Sequence, residues 1–88
     1  MQSPELETLD QLLSSDMPIS IITTLYATPD DCRKGLLGLL HEGDLVLLAA
    51  DRSEVPQWKW KELFRDDDWP QSLSDFRLRI TAQGAKKV

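Results

Sequence analysis

Residues 28–43 read Thr-Pro-Asp-Asp-Cys-Arg-Lys-Gly-Leu-Leu-Gly-Leu-Leu-His-Glu-Gly, and the fold is decided by how this run is read. Thr28 suits a helix N-cap and Pro29 suits the first helical position, where its missing N–H is no loss. Asp30 and Asp31 sit at the positive end of the helix dipole. Thr28 and Asp31 have the spacing of a capping box, with Asp in place of the usual Glu. Gly43 is the natural terminator, because only glycine enters the left-handed region freely. The spacing therefore predicts a helix over 29–42. A 100° step puts Cys32, Leu36, Leu39 and Leu40 on one apolar stripe. The opposite side carries Asp31, Lys34, Gly38 and His41. Asp30 and Glu42 flank it, and Arg33 and Leu37 lie nearer the core edge.

Towards the N-terminus, Ser3 and Pro4 start another helix, with Glu5 and Glu7 in its first turn. Leu6, Leu9, Leu12 and Leu13 fall on its inner face, and Ser14, Ser15 and Asp16 end it. Met17 to Ala27 suits two states. Its β-branched residues fit a strand. A short helix capped by Ser20, with Ile21, Ile22 and Leu25 inside, is the reading adopted because a longer capped helix follows. Towards the C-terminus, Leu45–Ala50 reads as a strand, and Phe76–Ile80 alternates as its antiparallel partner. Residues 51–75 between them are too many for a tight turn. Trp60, Leu63 and Phe64 would share one side of a helix after Pro56, while Trp58-Lys59-Trp60-Lys61 alternates as a strand would. Both states stay open for 56–65. The tail from Gly84 ends in a helical turn or frays.

Eighty-eight residues make one domain, 1–88, with a 41% hydrophobic and 28% charged composition that is ordinary for a globular chain. The formal net charge is −5. Residues 1–50 hold two basic and eight acidic side chains, and residues 51–88 hold eight basic and seven acidic, so the balance moves from −6 to +1. Positive potential is expected only in the second half. The one cysteine, Cys32, forms no intrachain disulfide, which suits a reducing cytoplasm. No signal peptide, membrane span or lipidation motif is expected.

The order is helix, short helix, longer helix ending in Gly, strand, loop, strand. Leu36, Leu39, Gly43 and Leu45 follow an L-x-x-L-x-x-x-G-x-apolar pattern, and Ile21, Leu25 and Ala27 stand where the preceding helix supplies its inner face. Leu78-Arg79-Ile80-Thr81-Ala82-Gln83-Gly84 follows an apolar-x-L-T-x-x-G signature. With these residues the chain resembles bacterial winged helix-turn-helix regulators of the MarR, ArsR and PadR type, over residues 4–50 and 76–86. The resemblance implies an α+β, mostly α, winged helix-turn-helix. Three helices would carry a two- or three-stranded antiparallel wing, with residues 51–75 as a long wing insert. It also implies a DNA-binding transcription regulator, with residues 29–42 as the recognition helix. Arg33, Lys34, His41, Arg52, Lys59, Lys61, Arg77 and Arg79 are then the DNA-contact candidates. A homodimer is expected, because one short domain reads few base pairs.

The charge pattern opposes that reading, since acids on the outer face of 29–42 repel phosphate. The alternative is a winged-helix protein-interaction module that does not bind DNA. It would use the acidic face of that helix or a patch built on Trp58, Trp60, Phe64, Arg65 and Trp69. Three tryptophans within twelve residues either bury against the helices or face a partner. Cys32, in the first turn of a helix, is weighed as a thiol sensor against a small buried hydrophobe. His41 with Glu42 and Asp44, and the run Asp66-Asp67-Asp68, lack the pattern of a metal site. No phosphate loop or nucleophile–histidine pair is legible, so neither enzymatic activity nor a cofactor is expected.

Overall fold

In the computed structural model, which describes residues 3–88, the chain runs α1 (Pro4–Leu12), β1 (Met17–Pro18), α2 (Ile19–Ile22), a 3-10 turn (Thr23–Leu25), α3 (Pro29–Glu42), β2 (Leu45–Leu48), α4 (Gln57–Leu63), α5 (Trp69–Ser72), β3 (Arg77–Ile80) and α6 (Ala82–Ala85). The protein is α+β, about half helical, with one small antiparallel sheet. No described helix is long and apolar enough to cross a membrane.

The local signals act at the ends of α3 and α1. The Thr28 hydroxyl accepts from the Asp31 N–H at 3.1 Å, and Gly43 closes α3 at φ 82°. The Ser3 hydroxyl accepts from the Leu6 N–H at 3.3 Å and caps α1. Cys32, Leu36, Leu39 and Leu40 are buried as the stripe requires, against Leu9 and Leu12 of α1 and the sheet. Leu13 is a correction: it lies past the end of α1 and is exposed.

Residues 17–25 differ from the expected single helix. Met17 and Pro18 pair with Leu78 and Arg77, and the helix begins only at Ile19. Pro18, not Ser20, occupies the cap position. The strand pairing shifts the buried set, so Ile19 and Ile22 face inward and Ile21 is exposed. The sheet order is β1-β3-β2, with Leu45 opposite Ile80 and Leu47 opposite Leu78. The outer edge of β2 is covered by the chain that follows. Leu48 bridges Glu54, and the Val55 N–H donates to the Leu47 carbonyl at 2.8 Å. That pairing removes a sticky edge.

Residues 51–75, expected as a wing insert, contribute to the core. Within 56–65 the helical state holds over Gln57–Leu63, α4, whose Trp60 is buried together with Phe64 just beyond it. Trp69 and Leu73, at α5, are 1% exposed, and Phe64 and Trp69 pack with ring centres 5.0 Å apart and planes tilted by 52°. The tail turns into α6, where the Thr81 hydroxyl accepts from the Gly84 N–H.

Candidate functional site

The outer face of α3 is exposed at Asp31, Lys34, Gly38 and His41, as its spacing predicts. Lys34 on this face and Arg33 at its edge both pair with a carboxylate of their own helix. Lys34 Nζ lies 3.2 Å from Asp30 Oδ2, one turn back, and Arg33 pairs with the other oxygen of the same carboxylate. The hydrogen bond from Lys34, then that from Arg33, holds the Asp30 carboxyl below the usual range. Arg33 also donates to the Phe64 carbonyl at 3.3 Å, which aims it at the end of α4. Asp30 thus offsets one of these two positive charges, while the Lys34 side chain stays 75% exposed.

The other DNA-contact candidates scatter over the fold. Arg52 stands in the turn after β2, at φ 69°, beside an Asp51 carboxylate that accepts from the Ser53 N–H and hydroxyl. Arg77 is half-buried on β3. Arg79 binds Asp16 through Nε and Nη2, at 3.0 Å for the shortest contact. Lys59 and Lys61 belong to α4. Among the described residues, Arg52, Lys59, Lys61 and Arg77 have no salt bridge.

The aromatic candidates divide sharply. Phe64 and Trp69 are core residues at 2% and 1% exposure, and so cannot meet a partner in this fold. Trp60 is also buried, with its indole N–H donating to the Val55 carbonyl at 3.3 Å. Trp58 is the exception, 69% exposed with Lys59 Nζ 5.3 Å above its ring. An indole in that state leaves much apolar area in water. Arg65 is exposed just past α4.

Comparison with protein-family models finds no match, and comparison with curated proteins and with solved structures finds none either.

Around Trp58 the fold assembles residues far apart in the chain. His41, at the last turn of α3, meets Trp60 edge to face with ring centres 5.3 Å apart, and its Nδ1 lies 3.4 Å from Gln57 Nε2. Because Gln57 and Trp60 touch the end of α3 while Phe64 touches Arg33, the two helices run antiparallel. Between them opens a groove of about 560 Å³ lined by His41, Gln57, Trp58, Trp60 and Lys61. It offers an aromatic wall, one amide and one free ammonium, which suits recognition better than bond chemistry. Gln57 was not legible as a site residue. Nothing local marks it, and its role arises only where α3 and α4 meet.

Cys32 has no exposed surface, and burial pushes its thiol up to about 12. A thiol that stays protonated is a poor sensor, so the small-hydrophobe reading describes it. Among the described residues, no three of His, Cys, Asp and Glu gather as metal ligands.

Proposed function

We propose that the chain is a winged-helix domain that works as a protein-interaction module through the Trp58 surface of α4, and not as a reader of duplex DNA. The order of elements supports the winged-helix part. Three helical segments precede β2, the short strand after α1 pairs with the last strand, and the sheet order is β1-β3-β2. The resemblance to MarR-, ArsR- and PadR-type regulators, carried by Leu36, Leu39, Gly43 and Leu45, points the same way.

The observation that carries the interaction reading is Trp58. It stands in solvent on a helix whose other aromatic residue is buried, at the mouth of a groove with a free lysine. Large aromatic side chains flanked by long cations are typical anchors of protein interfaces. The pairing of both α3 cations with Asp30 supports the denial of DNA reading.

A DNA-binding regulator of transcription is the second reading. It is favoured by the exposed outer face of α3 and by the unpaired cations Arg52, Lys59, Lys61 and Arg77. A photo-activated crosslinking side chain placed at position 58 or at position 34 in the producing cell separates the two. Protein adducts at 58 and no DNA adducts at 34 are expected. DNA adducts at 34 would overturn the proposal.

A further inference from the structure

We infer that the partner segment seated against α4 is a short acidic one, in which an Asp or Glu side chain stands next to an apolar side chain. This rests on the reading that the Trp58 surface is a contact surface, and it names the chemistry that surface selects. The groove of His41, Gln57, Trp58, Trp60 and Lys61 differs in charge from the rest of the chain. Asp and Glu number fifteen against ten Lys and Arg, yet no carboxylate lines this groove. Three smaller clefts each hold both signs: Lys34 with Glu5, Arg33 with Asp30, and Lys59 with Glu54. Lys61 has no opposite charge in its groove, and among the described residues it has no salt bridge.

The hydrogen-bonding groups of the groove lean the same way. An amide nitrogen only donates, so Gln57 Nε2 donates to His41 Nδ1 and the imidazole hydrogen stays on Nε2. The Trp60 N–H already donates to the Val55 carbonyl. What remains is the Lys61 ammonium, the second N–H of Gln57, the His41 Nε2–H and the Trp58 indole N–H. Against these donors the Gln57 amide oxygen is the one uncommitted side-chain acceptor. Donors gathered around one cation require an anionic acceptor, and a carboxylate accepts several N–H bonds at once. The exposed ring of Trp58 supplies the apolar half of the contact. A groove of about 560 Å³ is of small-ligand size, so it takes a few side chains of a linear segment and not the face of a folded domain. A nucleic-acid strand fits less well. Asp66, Asp67 and Asp68, all exposed, follow directly on Arg65 and repel a phosphate chain laid along α4. Of the three tryptophans Trp58 alone is exposed, and one ring stacks one base.

A displayed library of short random peptides, selected on the full chain at low salt, reads the preference without assuming a partner. Enriched sequences should place Asp or Glu next to an aromatic or branched apolar residue. A synthetic copy of an enriched peptide should bind Lys61→Glu about tenfold more weakly than the wild type. It should lose about tenfold or more on Trp58→Ala. Selection repeated on Lys61→Glu should keep the apolar preference and lose the acidic one, a change that a merely structural role for Lys61 would not produce. Both positions are exposed, and an unchanged far-ultraviolet spectrum confirms folding. Basic or uncharged sequences enriched on the wild type, no enrichment at all, or an affinity that survives both substitutions overturns the assignment. So does an oligothymidine strand that binds more tightly than the selected peptide. Persisting crosslinks from position 58 to other proteins, without an acidic preference in the selection, would remove the acidic segment alone and leave the interaction reading standing. With neither crosslinks nor enrichment, both fall.

Discussion

The hydroxyls of Thr8 and Tyr26 lie 3.1 Å apart in the interior and tie α1 to the turn that leads into α3. The single hydrogen of Thr8 goes to the Pro4 carbonyl at 2.8 Å, so Tyr26 is the donor between them. Burial raises the Tyr26 phenol to about 12. Tyr26 is the only tyrosine, so phenolate absorbance should stay flat until pH approaches 12 and appear near pH 10 in denaturant. The folded value is the raised one. The associated stability is therefore complete below pH 10 and lost as pH rises from 10 towards 12. Absorbance growing near pH 10 in the folded protein would contradict this.

Three glycines should answer alanine differently. A Cβ on Gly38 meets nothing within 4 Å, so Gly38→Ala should stabilise the domain by about 0.5–1 kcal/mol through helix propensity alone. At Gly35 a Cβ would come 2.8 Å from the Tyr26 ring, and at Gly84 it would overlap the Asp44 carbonyl. Gly84→Ala should therefore cost about 1–3 kcal/mol, as overpacking does, with Gly35→Ala falling between. Urea denaturation of the three variants gives the order.

The tryptophans supply a third test. Trp69→Ala removes a fully buried indole and should cost about 3–5 kcal/mol. Trp58→Ala should change stability by less than about 0.5 kcal/mol. Iodide should quench the emission of Trp58 and spare Trp60 and Trp69, so Trp58→Phe should remove most of the quenchable signal.

At the other end of α3, Asp44 is fully buried with Lys87 Nζ at 2.6 Å and Gln83 Nε2 at 3.2 Å. Lys87, bound to Asp44 and also to Glu42, is held above its ordinary value. Lys87→Ala leaves the buried Asp44 carboxylate with Gln83 as its remaining side-chain donor and should destabilise the domain, by less than the loss of a fully buried pair because the lysine is part-exposed. The raised value places this stability below the ordinary lysine range, and it is lost at more alkaline pH as Lys87 deprotonates. Denaturation of wild type and variant at neutral and strongly alkaline pH should converge at the alkaline end.

Legibility in the sequence followed the range of the interactions. Both ends of α3 were readable to the residue because Thr28 caps within three residues and Gly43 closes within one turn. Met17–Pro18 was not, because a two-residue strand exists only through partners sixty residues away at Arg77 and Leu78. For 56–65 the local pattern fits two periods, and the choice comes from tertiary burial of Trp60 and Phe64. The same applies to the site. Composition marked the aromatic cluster, but only packing separates Trp58 from Trp60, Phe64 and Trp69, and only the antiparallel run of α3 and α4 brings His41 to Gln57.

The most direct test of the account is an amide chemical-shift map of the labelled protein at low salt, recorded alone and then with duplex DNA. DNA should leave the amides of Asp31–Gly38 where they were. Shifts along Asp31–Gly38 that appear with DNA and vanish as salt rises would contradict it.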